Sequence, residues 1–438
     1  MPFSLYFHIP FCTHRCAYCD FNTYAGQESR IPAYVQALCR EIEIVGSQFP
    51  SPSRRGARGE VVHTVFFGGG TPSLLTVSQF EQIFSALRAH FDLLPEAEIS
   101  LEANPGTVTL DSLRGLRSLG FNRISFGVQS FHPDELCQLE RIHDPFDVFR
   151  AVEWARRAGF DNLNLDLIYG LPEQRLDRWS ATVKQAVALH PEHLSLYALT
   201  LEHGTPFGRW AARGLLPVPD PDAAAEMYER AGEVLEAHGY VQYEISNWAR
   251  DESPSSGILP PFFACRHNLT YWRCEPYLGF GAGAHGYFGD LRVANVLRIN
   301  SYIEKVSTAD LPPASGPQPS AIRHPLSVRR PPSALRLPYF PACVSRQRLT
   351  LRQQMQETMM LGLRLTREGV SAREFADRFQ VQMTDAFGKE IDELLALGLL
   401  EWVEENSLPQ VPILAGDSRL RLTPRARLLG NQVFMRFV

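Results

Sequence analysis

Residues 12–19 read Cys12-Thr13-His14-Arg15-Cys16-Ala17-Tyr18-Cys19, set between Leu5-Tyr6-Phe7-His8-Ile9-Pro10-Phe11 and Asp20-Phe21-Asn22. Three of the chain's eight cysteines fall in this short stretch, spaced C-x3-C-x2-C. Thiolates are the usual protein ligands of iron–sulfur clusters, and short spacings let one loop wrap a cube. Three cysteines on a four-iron cube leave one iron open. Four would suit a closed electron carrier or a tetrahedral zinc site. Cysteine is often buried as a small hydrophobe, but three so close together, just after a strand-like run, read as one ligand set. Cys12, Cys16 and Cys19 are therefore the expected metal ligands of a 4Fe–4S cluster.

Outward from this loop, one pattern recurs six times in the first 200 residues. A short β-branched or aromatic run is followed by a polar or glycine-rich turn and then a helical stretch. The runs are residues 5–9, 61–67, 98–102, 123–128, 162–168 and 193–198. Amphipathic stretches at 78–90, 109–119, 145–158 and 176–189 lie between them. Strands alternating with helices predict right-handed βαβ units and a parallel sheet, an α/β fold. Six units suit either a doubly wound sheet or a partial barrel. In both, ligands gather at the carboxyl ends of the strands.

Polar groups mark those ends. The first run leads into the cysteines and the second into Gly68-Gly69-Gly70-Thr71-Pro72-Ser73. Glycines there let backbone approach a ligand with no Cβ in the way. The third ends at Glu102 in Ser100-Leu101-Glu102-Ala103-Asn104-Pro105, and the fourth in Ser125-Phe126-Gly127-Val128-Gln129-Ser130. The fifth carries Asp166 inside the apolar Asn164-Leu165-Asp166-Leu167-Ile168. An isolated buried carboxylate is expensive, so Asp166 needs a partner or a ligand. Five successive polar strand ends read as one site facing one ligand.

Together these motifs resemble the radical-SAM superfamily. The resemblance implies a partial (β/α)6 barrel and a three-cysteine 4Fe–4S cluster whose open iron takes the amino and carboxylate groups of S-adenosylmethionine. It implies an electron passed from the reduced cluster to the sulfonium, and a 5′-deoxyadenosyl radical. By the same resemblance, Gly69, Gly70 and Thr71 form the turn that meets the methionine amino group. Glu102 bonds that ammonium, Arg141 pairs with the carboxylate, and Gln129 and Asp166 take the ribose hydroxyls. Tyr6, the backbone of Tyr18, and Ala198 at the sixth strand end match further cofactor contacts.

The wording Tyr6-Phe7-His8-Ile9-Pro10-Phe11-Cys12 is similar to the group holding the oxygen-independent coproporphyrinogen III dehydrogenases and their HemW-like relatives. The likeness covers about residues 4–305 and 350–438. The dehydrogenases resemble one another in a further cysteine two places after the third, and in an N-terminal arm ahead of the loop. Here that place is Phe21 and the first cysteine is residue 12. Cys265-Arg266-His267-Asn268-Leu269-Thr270-Tyr271-Trp272 carries the H-N-x-x-Y-W wording of the HemW-like group. That group is regarded as haem chaperones, which hand haem to acceptor proteins, notably respiratory ones, with transient contact with membrane-bound acceptors. Histidine is a common axial ligand of haem iron, and Tyr271 and Trp272 offer flat apolar faces. His267, Tyr271 and Trp272 are thus candidate haem contacts. His285, in the glycine-rich Gly279-Phe280-Gly281-Ala282-Gly283-Ala284-His285-Gly286, is a fourth.

Bulk properties set limits. The chain has 438 residues, 45% hydrophobic and 21% charged, as in ordinary globular proteins. No apolar run approaches the roughly 18 residues of a membrane span. The strand-like run begins almost at once, which leaves no expected signal peptide. With no disulfide-scaffold pattern, a reducing, cytoplasmic setting is the expectation. A net charge of −5 and a pI of about 6.2 weigh against nucleic acid as a partner.

Three regions are expected. Residues 1–305 form the barrel with its haem-motif extension. Residues 306–350 are rich in Pro, Ser and Arg and read as an insertion or linker. Residues 351–438 read as a winged-helix-like domain, with helices at 352–365, 371–379 and 384–397, strands at 399–403 and 420–423, and a last helix at 424–437. The Met355, Met359 and Leu363 stripe reads as core. The candidate recognition helix carries Asp385, Glu390, Asp392 and Glu393 against Lys389, which would repel phosphates. A DNA-binding regulator is thus the least favoured reading, behind a coproporphyrinogen dehydrogenase.

Overall fold

The structure is a computed structural model that describes residues 2–49, 61–251, 260–311, 339–404 and 418–438. Its centre is six parallel strands: β1 (Phe3–Ile9), β2 (Val61–Gly69), β3 (Asp92–Ala103), β4 (Arg123–Gln129), β5 (Leu163–Tyr169) and β6 (His193–Ala198). They lie side by side in chain order. Each expected run is present, with bounds shifted by at most two residues except in β3. That strand starts earlier, because Asp92 and Leu93 already pair with Val61 and Val62 before the ladder resumes at Glu98–Thr64. Pro95 sits in the interruption, where its missing N–H costs no ladder bond.

Helices cover the outer face: α1 (Ile31–Gly46), α2 (Val77–His90), α3 (Leu110–Leu119), α4 (Pro145–Arg157) and α5 (Leu176–Ala188). Sequence dictates their starts. Thr76 with Gln79, Thr109 with Ser112 and Asp144 with Asp147 each form a reciprocal capping box. Gly120 ends α3 at φ +112°, a conformation suited to a residue without Cβ. Between helices and strands lies one apolar core including Phe7, Phe67, Phe80, Phe84 and Phe121.

The sheet continues on both sides, so the barrel is partial. Beyond β6 lie α6 (Pro221–Ala237), β7 (Tyr240–Glu244) and β8 (Asn247–Arg250), with β8 antiparallel to β6. Beyond β1 come β9 (Tyr277–Phe280), β10 (His285–Phe288), β11 (Leu291–Asn295) and β12 (Cys343–Arg348). The twelve strands run β12-β11-β10-β9-β1-β2-β3-β4-β5-β6-β8-β7. β12 corrects the linker reading at its end, since these residues form an edge strand paired with β11. Residues 312–338 of the expected linker lie outside the described residues.

α7 (Arg266–Trp272) closes the amino-terminal end of the barrel. Glu98 of β3 accepts from the backbone N–H groups of Arg266 and His267, both at 3.0 Å. Thr270 meets Ser4 of β1 at 2.9 Å.

The C-terminal region holds α8 (Leu351–Gly362), α9 (Ala372–Phe379) and α10 (Met383–Ala396). They pack on a three-stranded sheet of β13 (Val370–Ser371), β14 (Leu400–Glu404) and β15 (Ser418–Leu422), ordered β13-β15-β14. Met355, Met359 and Leu363 are in its core, as the stripe implies. The expected single helix over 424–437 is instead a 3-10 segment, one short α-helix and a second 3-10 segment. The chain is thus an α/β fold, a partial barrel of six parallel strands followed by a smaller domain of helices on a three-stranded sheet.

Candidate functional site

Register brings the sequence motifs together. Ile9 of β1 lies opposite Gly69 of β2. Beyond that point the Gly70 N–H donates to the Ile9 carbonyl at 2.9 Å, and that of Thr71 to Phe11 at 2.8 Å. A Cβ on Gly70 would lie 2.6 Å from the Phe11 carbonyl oxygen, so this approach requires glycine. Cys12 and Thr71 are thereby neighbours, and the Thr71 hydroxyl donates to the Cys12 sulfur at 3.5 Å.

Hydrogen bonds continue around the loop. Asn104, just past β3, donates from Nδ2 to Thr71 at 3.0 Å. Its Oδ1 accepts from Arg141. Arg141 also donates to the Gly127 carbonyl at 2.7 Å and to the Cys16 sulfur at 3.6 Å. Thus Cys12 and Cys16 are linked through Thr71, Asn104 and Arg141. Cys19 lies 3.9 Å from the Thr23 hydroxyl. Burial is the largest influence on Cys12 and Cys19 and pushes both thiols up, while the Thr71 and Thr23 hydrogen bonds oppose it.

The three cysteines line a cavity of about 440 Å³ at the carboxyl ends of the strands. Tyr18, Gly69, Gly70, Thr71, Glu102, Gln129, Arg141, Asp166 and Ala198 line the same cavity. Glu102 accepts from the Gly69 N–H at 3.0 Å. Desolvation, and then Asp166, pushes its carboxyl up to about 7, against the Gly69 bond and Arg123. Asp166 accepts from Ser125 and from Asn164, each at 2.8 Å, and burial raises it too. Gln129 is held at φ +67° where the ladder between β4 and β5 slips. A non-glycine residue there marks strain stored at a site. A Cβ at Gly127 would come within 2.9 Å of Gln129 Nε2 and 3.2 Å of Arg141, filling the gap between them.

These residues suit a cluster with one open iron and a zwitterionic ligand beside it. Among the described residues, no group of three or more His, Cys, Asp or Glu is placed to hold one metal ion. A cube gives each thiolate its own iron, so three cysteines around it need not converge on a point. The Nε of Arg141 is buried without a partner, and Glu102 is a desolvated carboxyl suited to a cation.

Sequence reasoning passed over the floor of this cavity. Arg123, Asn164, Ser195, Tyr197 and Asn268 also line it. Arg123 is buried, and its Nε has no hydrogen-bond partner. The alternation Arg123, Ser125, Gly127 along one strand was the available signal, since these positions share a face.

The expected haem contacts fall in three places. His267 is buried behind Phe66, the rings stacked at 5.0 Å. Its Nδ1 bonds the Thr64 hydroxyl at 2.7 Å and its Nε2 the Tyr271 hydroxyl at 2.8 Å, so neither ring nitrogen is free. Burial pulls it down to about 3, so it is neutral. Trp272 faces the C-terminal domain, with the Arg364 guanidinium 4.6 Å from its ring centre. Tyr271 and His285 line a second cavity of about 520 Å³, and Tyr6 lines it too rather than the first. The Tyr6 hydroxyl bonds His8 Nδ1 at 3.0 Å.

The family model described as the radical SAM superfamily matches residues 6–186, and that of the HemN C-terminal domain matches residues 349–406. The chain is 35% identical to the heme chaperone HemW of Bacillus subtilis over 439 aligned residues, covering 99% of each chain. It is 32% identical to that of Lactococcus lactis, covering 100% of this chain and 97% of the relative. For that of Escherichia coli, identity is 42% over 65% of this chain and 70% of the relative. Among solved structures, coproporphyrinogen III oxidase (HemN) from Escherichia coli, a radical SAM enzyme, superposes with a TM-score of 0.74 at 25% identity. That match covers 100% of this chain and 90% of the other.

Proposed function

The chain belongs to the HemW family, and from that premise we propose that it is a haem chaperone. In this reading it carries a 4Fe–4S cluster completed by S-adenosylmethionine, binds haem and passes it to acceptor proteins. The observation that carries the reading is likeness to proteins named heme chaperones along nearly the whole chain. It is supported by Phe21 standing where the dehydrogenases have their further cysteine.

Cys12, Cys16 and Cys19 would hold three irons. The cluster, when bound, supplies a one-electron reductant with one open coordination site. Around it, Glu102 accepts from the methionine ammonium and Arg141 pairs with the carboxylate. The backbone at Gly69, Gly70 and Thr71 supplies the adjoining edge. Gln129 and Asp166 orient the ribose, while Tyr18 and Ala198 border the adenosine.

Haem-accepting proteins, respiratory ones among them, are the proposed partners. The working compartment is the cytoplasm, with transient contact with membrane-bound acceptors. Among the described residues, no helix is long and apolar enough to cross a membrane. Nucleic acid is not a proposed partner, given the acidic α10.

The test is anaerobic reconstitution with iron and sulfide, then haemin loading and transfer to an apo-haemoprotein, followed spectroscopically. Transfer is expected, and failure to bind haemin would sink the reading. The likeness to HemN favours a second reading, coproporphyrinogen III dehydrogenation. Robust protoporphyrinogen formation from coproporphyrinogen III and S-adenosylmethionine would establish it instead.

A further inference from the structure

The second cavity opens beside the cluster loop and shares Arg15, Asp20 and Phe21 with the first. Its volume of about 520 Å³ lies in the range of small-molecule pockets. Its lining is mixed, with aromatic rings beside the polar Arg15, Asp20 and Asn22. Tyr271 is fixed by its bond to His267, and Tyr277 meets it edge-on at 4.8 Å. Leu297 and Phe21 add apolar surface, and both side chains are exposed. One of the two tyrosine rings, with the apolar surface beside it, suits a face of a planar macrocycle, while the other meets its edge.

Two histidines line this cavity, and they differ in availability. His8 has both ring nitrogens engaged, Nδ1 with Tyr6 and Nε2 with the Asn22 carbonyl at 2.9 Å. His285 is exposed, and among the described residues its ring has no hydrogen-bond partner. No cysteine or methionine lines the cavity.

The backbone of His285 is also held firmly. It opens β10, paired with Ala294. A Cβ on Gly279 would lie 1.9 Å from the His285 carbonyl oxygen, so the two backbones are in close contact. The turn before it is pinned by buried Glu41, which accepts from Gly281 N–H at 2.8 Å, from Asn295 at 2.8 Å and from Tyr302 at 2.7 Å. A ligand presented from a rigid element is geometrically defined.

We propose that His285 is the axial ligand of haem iron, with the macrocycle seated in this second cavity against Tyr271 and Tyr277. Arg15, on the shared rim, is the cation that pairs with a haem carboxylate. His267 has a structural role in this arrangement: it fixes Tyr271 from behind. The inference rests on the haem-binding reading above and assigns the site for it.

The test is haemin titration of the full-length protein, read by absorbance and electron paramagnetic resonance. His285→Gly is expected to bind about tenfold more weakly, with exogenous imidazole restoring affinity and spectrum. His285→Met is expected to retain haemin with a shifted Soret band and altered g-values. His267→Gln, which loosens Tyr271, is expected to weaken haemin binding while leaving the axial-ligand g-values unchanged. If wild type binds no haemin, the chaperone reading itself fails. If wild type binds and His285→Met leaves the spectrum unchanged, or imidazole does not restore His285→Gly, the assignment to His285 is overturned.

Discussion

The backbone N–H of Gly69 donates to Glu102 Oε2 at 3.0 Å, across the gap between adjacent parallel strands. It stabilises the ionised carboxyl, yet desolvation and Asp166 win, and Glu102 sits at about 7. Arg123 lowers it, and Tyr6 and Tyr197 also face it. Because the folded value lies above the unfolded one, Glu102 disfavours the ligand-free fold increasingly as pH rises from 4.5 to about 7. A bound ammonium reverses this, since it needs the ionised form. Affinity for S-adenosylmethionine should therefore rise as pH rises, by up to about tenfold per unit below the Glu102 value. Glu102→Gln should bind weakly with a flat profile. Calorimetric titration of the reconstituted protein at several pH values checks both.

Replacing His267 should cost stability. Glutamine cannot reproduce both bonds at the imidazole geometry, so His267→Gln should lose about 2 kcal/mol in urea unfolding near neutral pH. Burial, with His63 and Arg123 nearby, lowers His267 from its ordinary 6.5 to about 3. The unfolded chain then binds the extra proton between those values, and wild type loses stability there as pH falls. The variant lacks that term. The gap between them should shrink by about 1.4 kcal/mol per pH unit below the unfolded value. A gap that grows on acidification would contradict the neutral assignment.

Barrel and C-terminal domain meet at Glu368. It takes both prongs of Arg273, at 3.0 and 2.7 Å, and a third contact from Arg419 at 3.4 Å. Arg273 directly follows α7, so this pairing ties the barrel plug to the domain. Glu368→Ala removes the carboxylate that takes both prongs of Arg273 and should cost about 2–3 kcal/mol. Glu368→Gln should cost less. Urea unfolding followed by tryptophan fluorescence and by circular dichroism should show the lowest midpoint in the Ala variant, with the Gln variant between it and wild type.

Strand placement was legible because it rests on local signals. Apolar runs of fixed length, glycine turns and capping residues locate β1 to β6 within a residue or two, apart from the start of β3. The polar strand ends converge because parallel registry carries local pattern into space. What stayed hidden depends on tertiary partners. The His267 motif has the chemistry of a haem ligand in one dimension. Only the fold places Thr64 and Tyr271 on its two nitrogens. Similarly, Cys343–Arg348 is a polar, exposed run that becomes a strand because β11 offers an edge. The broken helix after Pro424 likewise follows packing, since Ala426, Val433, Phe434 and Phe437 are all buried. Trp272 and Tyr271 are adjacent in sequence and yet serve different surroundings, because neighbours on a helix point about 100° apart.

Asn104 should tune the cluster although it touches no sulfur. Arginine can only donate, so Arg141 fixes the Asn104 oxygen, and the amide nitrogen must then point to Thr71. With its lone pair occupied, Thr71 directs its proton at Cys12. Asn104→Asp keeps an acceptor for Arg141 but offers Thr71 an acceptor where it had a donor. The hydroxyl should turn to the carboxylate, and the Cys12 thiolate should lose its hydrogen bond. Hydrogen bonds to cluster sulfurs raise the reduction potential, and added negative charge lowers it. Both effects have the same sign here. The variant's midpoint should fall by about 30–60 mV, the equivalent of roughly 1 kcal/mol for one electron. Thr71→Val, which removes the donor to Cys12 and adds no charge, should fall less than Asn104→Asp, and Asn104→Ala, which leaves the Thr71 hydroxyl in place, should fall least. Redox titration of reconstituted protein, followed by electron paramagnetic resonance, measures all three. An unchanged potential in Thr71→Val would show that the Thr71–Cys12 contact does not control the cluster.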